Sequence, residues 1–357
     1  MVCAAPALSI SILLLQLLIV AEAGVPTHGA GPVVPAVIIL GDSIMDPGNN
    51  NQIPTTVRSN FPPYGVDFPT HKATGRFSNG KIASDFLASE LGVKETLPAY
   101  LGTKLSAQDL LTGVSFASAG TGFDPATATL ASVIPMRKQL EMFAEYEERL
   151  RTLVGEEKAA SIIAESQFVV CAGSNDVVQF LANPLNNRTS KGIANYSKFL
   201  MQSNSRIVQD LVGLGARAVG VVGLPPVGCM PAQRTLVGGI HRKCAHQSNE
   251  LAQKYNRELR KEANRLTAKL QGTKIIYLDI YSVLLDLIEH PKAQGFEESK
   301  KGCCGTGVLE AGVLCNSLSP PCSNPSQYVF WDSYHPTERA NKVMVDKVVK
   351  DYLHFLQ

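Results

Sequence analysis

The stretch Val34-Pro-Ala-Val-Ile-Ile-Leu40-Gly41-Asp42-Ser43-Ile44-Met-Asp46-Pro-Gly-Asn49-Asn50 opens as an apolar run and ends abruptly in Gly-Asp-Ser. A short run of this kind, rich in β-branched residues, reads as a strand buried on both faces. Gly41-Asp42-Ser43 then reads as a tight turn presenting one hydroxyl. Nucleophiles of α/β enzymes sit on such turns. Ordinary strand ends carry turn serines too, so this stretch alone supports either reading.

Four further runs resemble the first: Gly113–Ala117, Phe168–Ala172, Ala216–Gly223 and Lys274–Leu278. Between them, Lys81–Leu91, Met136–Leu153, Glu156–Ala164, Tyr196–Leu214 and His246–Leu270 space apolar residues three and four apart, as helices do. Pro336–Leu356 predicts a last amphipathic helix, with Ala340, Val343, Met344, Val348 and Tyr352 on one face. Strands alternating with helices predict a mainly parallel five-stranded sheet covered on both sides. Working residues in such sheets lie at the carboxyl ends of strands.

The chain has 357 residues, 45% of them hydrophobic, which is ample for a sizeable core. Leu8–Val20 is apolar and uncharged, and Ala21-Glu22-Ala23 follows it as a small-x-small cleavage site. Residues 1–23 therefore read as a signal peptide, too short for a comfortable membrane span. Residues 24–357 read as a single domain, expected to be monomeric and without an integral membrane span. Removing the leader leaves 33 basic against 30 acidic residues, since Glu22 is its only charged side chain. The charges are scattered, which gives no reason to expect a nucleic-acid partner.

Cysteine usage fits an oxidising compartment. Cys171 lies inside an apolar run and reads as a buried free thiol. Cys229 and Cys244 flank one polar segment, and Cys303, Cys304, Cys315 and Cys322 punctuate a Gly/Pro/Ser-rich loop. Three disulfides pinning two long loops are expected, with the pairing inside the second group open. Zinc held by that group is the rival, but adjacent Cys303-Cys304 does not supply the usual ligand spacing. Asn187 (N-R-T) and Asn195 (N-Y-S) are glycosylation acceptors in a secreted protein.

Several motifs are absent, among them G-x-S-x-G, H-E-x-x-H and G-x-G-x-x-G. Gly75-Arg-Phe-Ser-Asn-Gly80-Lys81 imitates a phosphate-binding loop. Ile82 follows, where Ser or Thr should stand, and no strand precedes it, so no nucleotide is expected. Neither a cofactor nor a metal is implied.

The chemistry-bearing residues are spread along the chain. One strand end reads Gly113-Val-Ser-Phe-Ala-Ser-Ala-Gly120-Thr-Gly, another Cys171-Ala-Gly173-Ser-Asn175-Asp176, and near the C-terminus stands Trp331-Asp332-Ser-Tyr-His335-Pro336. Singly, each reads as well for tight packing, a turn, or a helix start. Together they supply what acyl transfer needs. His335 can take the proton of the Ser43 hydroxyl, and Asp332 can fix the imidazole tautomer. The Ser43 amide, the Gly120 amide and the Asn175 side chain can donate to an oxyanion.

Gly41-Asp42-Ser43, Gly120, Gly173-x-Asn175-Asp176 and Asp332-x-x-His335 resemble, in order, the four sequence blocks of the SGNH hydrolases, or GDSL esterases/lipases. Gly75-Arg-Phe-Ser-Asn-Gly-Lys81, Gly223-Leu-Pro-Pro-Val-Gly-Cys229 and Tyr328-Val-Phe-Trp-Asp332 resemble the large plant branch of secreted GDSL proteins. The resemblance covers nearly all of the chain after the leader. It implies a flavodoxin-like three-layer α/β/α fold, Ser43 as nucleophile, His335 as base, Asp332 as its orienter, and Ser43, Gly120 and Asn175 as oxyanion hole. Ile44 stands where the family has Leu, Leu40 where Phe is common, and Ser115 where Asn is frequent; none of these removes a reacting group.

A secreted enzyme of the apoplast or cell wall that hydrolyses carboxylic esters, of lipid or polymer type, is the resulting expectation. An extracellular acyltransferase using the same residues on cell-wall or cuticle hydroxyls is the alternative, and a non-catalytic wall-binding protein a third. Asp42, Asp46, Asn49–Asn51 and Asp176 are expected to shape turns or orient neighbours, and Asp85 to be a satisfied buried carboxylate. His28, His71, His241, His246, His290 and His354 read as surface or loop residues. Trp331 and Tyr334 suit either an acyl pocket or packing. Helix 136–153 and loops 52–74 and 292–327 are expected to shape the pocket.

Overall fold

The computed structural model describes residues 1–2, 32–102, 104–307, 309–310 and 314–356. Apart from Met1 and Val2, the leader expected over 1–23 lies outside these residues, as do the expected domain start at Gly24 and His28. Residues 32–357 form one compact unit. In chain order its strands are β1 (Val37–Gly41), β2 (Gln167–Cys171), β3 (Ala218–Val222), β4 (Lys274–Leu278), β5 (Glu298–Gly302) and β6 (Tyr328–Phe330). Its helices are α1 (Ala83–Glu90), α2 (Ala107–Thr112), α3 (Pro125–Ala131), α4 (Met136–Val154), α5 (Glu156–Glu165), α6 (Ser174–Ala182), α7 (Ser190–Gly213), α8 (Pro231–Val237), α9 (His246–Lys269), α10 (Ile280–Glu289) and α11 (Glu338–Leu356).

The strands β1-β2-β3-β4 lie side by side, all parallel, with Ile39 opposite Val169 and Val169 opposite Gly220. Alternation along each strand sends successive side chains to opposite faces. Ile38, Leu40, Phe168 and Val170 meet Leu140, Phe143 and Tyr146 of α4, Leu200 of α7 and Leu251 of α9. Val37, Ile39, Val169 and Cys171 meet Phe86 and Leu87 of α1 and Val345 and Val349 of α11. Both faces are covered, so the chain builds three α/β/α layers, with helices shielding strands that are apolar throughout. On α11 the buried stripe is Ala340, Met344, Val345, Val349 and Tyr352, because the helix wedges between both apolar clusters; Val343 and Val348 are only half-buried.

The expected fifth strand, 113–117, is cut short. Ile39 N–H donates to the Val114 carbonyl at 3.2 Å, Phe116 N–H to Ile39 at 2.8 Å and Ser118 N–H to Gly41 at 2.9 Å, in a parallel pattern beside β1. The rung due between the last two, from Gly41 N–H to the Phe116 carbonyl, goes instead to the side chain of Gln139 at 2.8 Å. Gln139 Nε2 returns a bond to the Gly41 carbonyl at 2.9 Å. One buried amide on α4 thus replaces a rung, and the segment counts as an isolated pairing rather than a strand. Its outer edge is occupied too, since Ser115 N–H donates to Pro98 and Tyr100 N–H donates to Ser115, both at 3.0 Å. The spatial order therefore runs from segment 114–118 through β1 and β2 to β3 and β4.

The six expected helices appear as α1, α4, α5, α7, α9 and α11. Helix α7 starts six residues earlier than its apolar pattern, where the Thr189 side chain caps Gly192 N–H. The short α2, α3 and α8, six or seven residues each, carry too few turns for periodicity to show, and α6 and α10 follow β2 and β4 so closely that their apolar residues merge with those of the strands. Ser106, Asp124 and Asp279 cap three of them.

Cys229 is bonded to Cys244, Cys303 to Cys322 and Cys304 to Cys315. The thiolates that a zinc site would need are consumed by these pairings. Cys171 is free and buried, and burial pushes its thiol well above the usual value. Among the described residues, no helix is long and apolar enough to cross a membrane.

Candidate active site

Ser43 follows β1, Asn175 follows β2, and Gly120 follows segment 114–118, so all three stand at carboxyl ends of neighbouring strands. Segment 114–118 and β2 flank β1 on opposite sides, although both come later in the chain. That reversal is the topological switch point where open α/β sheets bind ligands.

The turn around Ser43 is built by its neighbours. Asp42 N–H extends the ladder to the Cys171 carbonyl at 2.9 Å, and Met45 N–H returns to Asp42 at 3.1 Å. A Cβ at Gly41 would stand 2.2 Å from the Cys171 carbonyl oxygen, so only glycine lets β1 lie this close to β2 there. Asp42 is buried and accepts from Ile44 N–H at 3.1 Å. Burial pushes its carboxyl up to about 7, against the pull of that N–H and of the His335 ring. Ser43 keeps 9% of its surface exposed.

The other half of the site follows β6. Trp331 N–H donates to the His335 carbonyl at 2.7 Å, folding residues 331–335 into a tight loop. Inside it Asp332 Oδ1 accepts from Tyr334 N–H and His335 N–H, both at 2.8 Å. His335 Nδ1 lies 2.8 Å from both carboxylate oxygens of Asp332, and Nε2 lies 2.8 Å from Ser43 Oγ. A proton on Nδ1 donated to the carboxylate leaves Nε2 as acceptor for the serine hydroxyl. Burial opposes charge on Asp332, but the His335 ring and the two backbone N–H groups outweigh it and hold the carboxyl below its ordinary value.

The donor side is held by side chains reaching across loops. Asn175 Nδ2 gives one hydrogen to the Thr121 carbonyl at 2.9 Å, which ties it to the residue after Gly120; among the described residues its second N–H has no acceptor. Gly120 has φ +86°, a left-handed conformation suited to glycine. Among the described residues nothing accepts from the amide N–H of Ser43 or of Gly120. Asp176 accepts from Phe123 N–H at 2.7 Å and from the Thr127 hydroxyl at 2.5 Å, clamping the loop after Gly120. Asp46 accepts from Ala119 N–H at 3.0 Å, Asn49 Nδ2 reaches the Ser115 and Ala117 carbonyls, and Asn50 Nδ2 reaches Ala119 at 2.9 Å. These polar residues after Ser43 therefore do more than shape their own turn; they staple it to segment 115–119.

Three contributors escape a reading of the sequence. Tyr64 O–H donates to Asp332 Oδ2 at 2.8 Å, the Phe77 ring lies 4.7 Å from that of His335, and Gln139 bonds Gly41. Their partners are distant in sequence: Phe77 stands in the Gly75–Lys81 motif, but nothing there points to His335, and Tyr64 and Gln139 carry no local mark. Trp331 is fully buried in a cluster with Tyr64, Cys303, Cys304 and Cys315, so it packs rather than lines a pocket. Tyr334 is half-buried with its ring 6.4 Å from that of His335. Asp85 takes both Arg76 nitrogens at 2.7 Å. His71, His241, His246 and His290 are exposed; His246 and His290 do have acidic neighbours, Glu250 and Asp286, one helical turn away.

A hydroxyl, an imidazole and a carboxylate in line at the switch point of a parallel sheet define a serine hydrolase-like α/β protein. The chain belongs to the GDSL-like lipase/acylhydrolase family, whose model matches residues 37–348. It is 46% identical over 323 residues to one GDSL esterase/lipase of Arabidopsis thaliana, covering 90% of this chain and 86% of that one. With another from Arabidopsis thaliana it shares 47% identity over 351 residues, covering 97% and 99%. It resembles the crystal structure of a lipase from a goat rumen metagenome only loosely, with TM-score 0.42 and 12% identity over 90% of this chain and 99% of that one. The chain is thus a carboxylic ester hydrolase of the GDSL esterase/lipase type.

Proposed function

We propose that the chain is a secreted serine ester hydrolase working through an acyl-enzyme on Ser43. Ser43 Oγ attacks the ester carbonyl while His335 Nε2 takes its proton. Asp332 holds the imidazole in the right tautomer and stabilises it once charged. The Ser43 and Gly120 amides and Asn175 Nδ2 receive the developing oxyanion. Collapse expels the alcohol, which collects the proton from His335, and water then releases the acid by the same steps. The observation carrying this reading is the line Ser43–His335–Asp332, with 2.8 Å at each link.

Ser43→Ala is the test. Turnover of p-nitrophenyl acyl esters should vanish, and a fluorophosphonate probe should label only the parent protein. Surviving turnover would sink the assignment, and a folded parent that takes no label would favour a binding role. An acyltransferase passes through the same acyl-enzyme, and product analysis with a competing alcohol separates the two. Three disulfides and two exposed acceptors, Asn187 and Asn195, support export to the apoplast or cell wall. Glycosidase treatment should lower the mass of the secreted protein and leave that of an Asn187→Gln/Asn195→Gln variant unchanged.

A further inference from the structure

We infer that Tyr64 is a positioning residue of the catalytic machinery, a fourth member that orients Asp332 and moderates its hold on His335, and that residues 75–81 exist to keep it and His335 in place. The inference rests on the Ser43–His335–Asp332 reading above.

Tyr64 is 4% exposed and comes from a loop 268 residues away from Asp332 in sequence. A phenol hydroxyl this deep is costly unless bonded. Its O–H reaches Oδ2, the carboxylate oxygen that no backbone N–H serves, while Oδ1 takes both backbone donors. With His335 Nδ1 across both oxygens, the carboxylate is then fixed in plane and rotation. The ring itself is held edge-on by Phe61, Phe77 and Trp331, with centroids 5.5, 5.8 and 6.3 Å away.

The segment Gly75-Arg-Phe-Ser-Asn-Gly-Lys81 explains why the loop stays there. Gly65 N–H donates to Ser78 at 3.0 Å and Asp67 N–H to Asn79 at 2.7 Å, locking the two stretches together. The Arg76 guanidinium lies 4.8 Å over the Phe68 ring and forks onto buried Asp85 of α1. From that anchor Phe77 lies against the His335 ring, Ser78 Oγ donates to the Pro336 carbonyl at 3.1 Å, and Asn79 accepts from Glu338 N–H at 2.8 Å. The segment that imitates a phosphate loop thus holds both the ring of the base and the backbone that follows it.

Charge gives the bond its second role. Asp42 faces His335, and Glu310, Tyr334 and Tyr64 face Asp332. Of these, Tyr64 alone donates to the carboxylate from its side chain. Burial, and then the Asp332 charge, push the phenol well above its usual value, so it stays a donor throughout the working range. Without it the carboxylate charge is less compensated and favours the imidazolium more strongly.

Tyr64→Phe keeps the ring and removes the hydroxyl. We expect kcat/KM for a p-nitrophenyl ester to fall about tenfold, the order of one charge-assisted hydrogen bond. KM should hold, and the acid limb of the kcat/KM profile should move up by about half a pH unit or more. A fluorinated tyrosine at position 64, a stronger donor of nearly the same size, should move that limb down. A superimposable profile in both variants overturns the inference, and so does lower activity with an unmoved acid limb, which would mean packing alone. Ser43→Ala, assayed in parallel, reports separately on the underlying reading: turnover surviving there condemns the serine mechanism, whatever Tyr64 does.

Discussion

Gly120→Ala separates strain from chemistry. Gly120 sits at φ +86°, and an added Cβ would lie 3.2 Å from Val57 Cγ1 and 3.5 Å from the Ala131 Cβ. An L-residue in the left-handed region costs about 1–2 kcal/mol, and the Val57 contact requires a further shift of a few tenths of an ångström. Relief by turning the 119–120 peptide is resisted, because Asp46 holds the Ala119 N–H and Asn50 holds the Ala119 carbonyl. Whatever relief occurs swings the Gly120 N–H away from the position that the proposed oxyanion role requires. Stability should fall by roughly 1–2 kcal/mol, or about 1.5–3 °C in Tm for a unit of this size. Loss of one oxyanion donor should lower kcat about 10²–10³-fold, or about 2.7–4 kcal/mol of transition-state stabilisation. That exceeds the strain, so folded protein at 25 °C should show low kcat at nearly unchanged KM. Stopped-flow acylation with p-nitrophenyl acetate, alongside thermal denaturation, reads both numbers. A lowered Tm with kcat within about twofold of the parent would refute the donor role of Gly120.

Gln139→Met should lose about 2–4 kcal/mol in urea unfolding, because it orphans the buried Gly41 N–H and removes a second bond to its carbonyl; a loss under about 0.5 kcal/mol would mean that segment 114–118 closes up to supply the missing rung. Asp42 has its folded-state carboxyl raised from 3.8 to about 7. Its neutral form is therefore favoured by folding, and that contribution is complete below pH about 4 and lost as pH rises through about 7. Asp42→Asn should flatten the Tm-against-pH curve in that window, and an unchanged slope would show that Asp42 does not titrate there. Cys303→Ser/Cys322→Ser opens a loop between cysteines 19 apart and should cost about 3 kcal/mol in denaturant midpoint analysis. Since Cys303 N–H bonds Phe330 and Cys304 N–H bonds Trp331, the same variant should also label more slowly with fluorophosphonate; labelling at the parental rate would uncouple this loop from the site.

The parallel sheet and its long helices are legible because each carries its own period. β1 is apolar at Val37–Leu40, and α4 repeats Met136, Leu140, Phe143, Tyr146 and Leu150. What defeats the fifth strand is a single amide from α4, a contact 98 residues away that no local pattern announces. The family blocks make Ser43, Gly120, Asn175, Asp332 and His335 stand out, since turn chemistry concentrates them in short motifs. Tyr64 carries no such mark, and the Gly75–Lys81 motif that holds Phe77 does not say that it meets His335. Both look like ordinary loop aromatics until folding lays residues 61–81 over residues 331–336. The short helix α8 is hidden for another reason, having fewer than two turns in which to show a stripe.

The distance in sequence between the two halves of the site has a consequence for how the molecule comes into being. Ser43 and His335 are 292 residues apart, and Tyr64 and Asp332 are 268 apart. A ribosome makes the serine 292 residues before the imidazole. Every nascent or prematurely ended chain that stops between residues 43 and 334 carries the hydroxyl without His335. The site is therefore assembled only by a chain that has been translated past residue 335, and its appearance serves as a readout that both halves have been made and brought together.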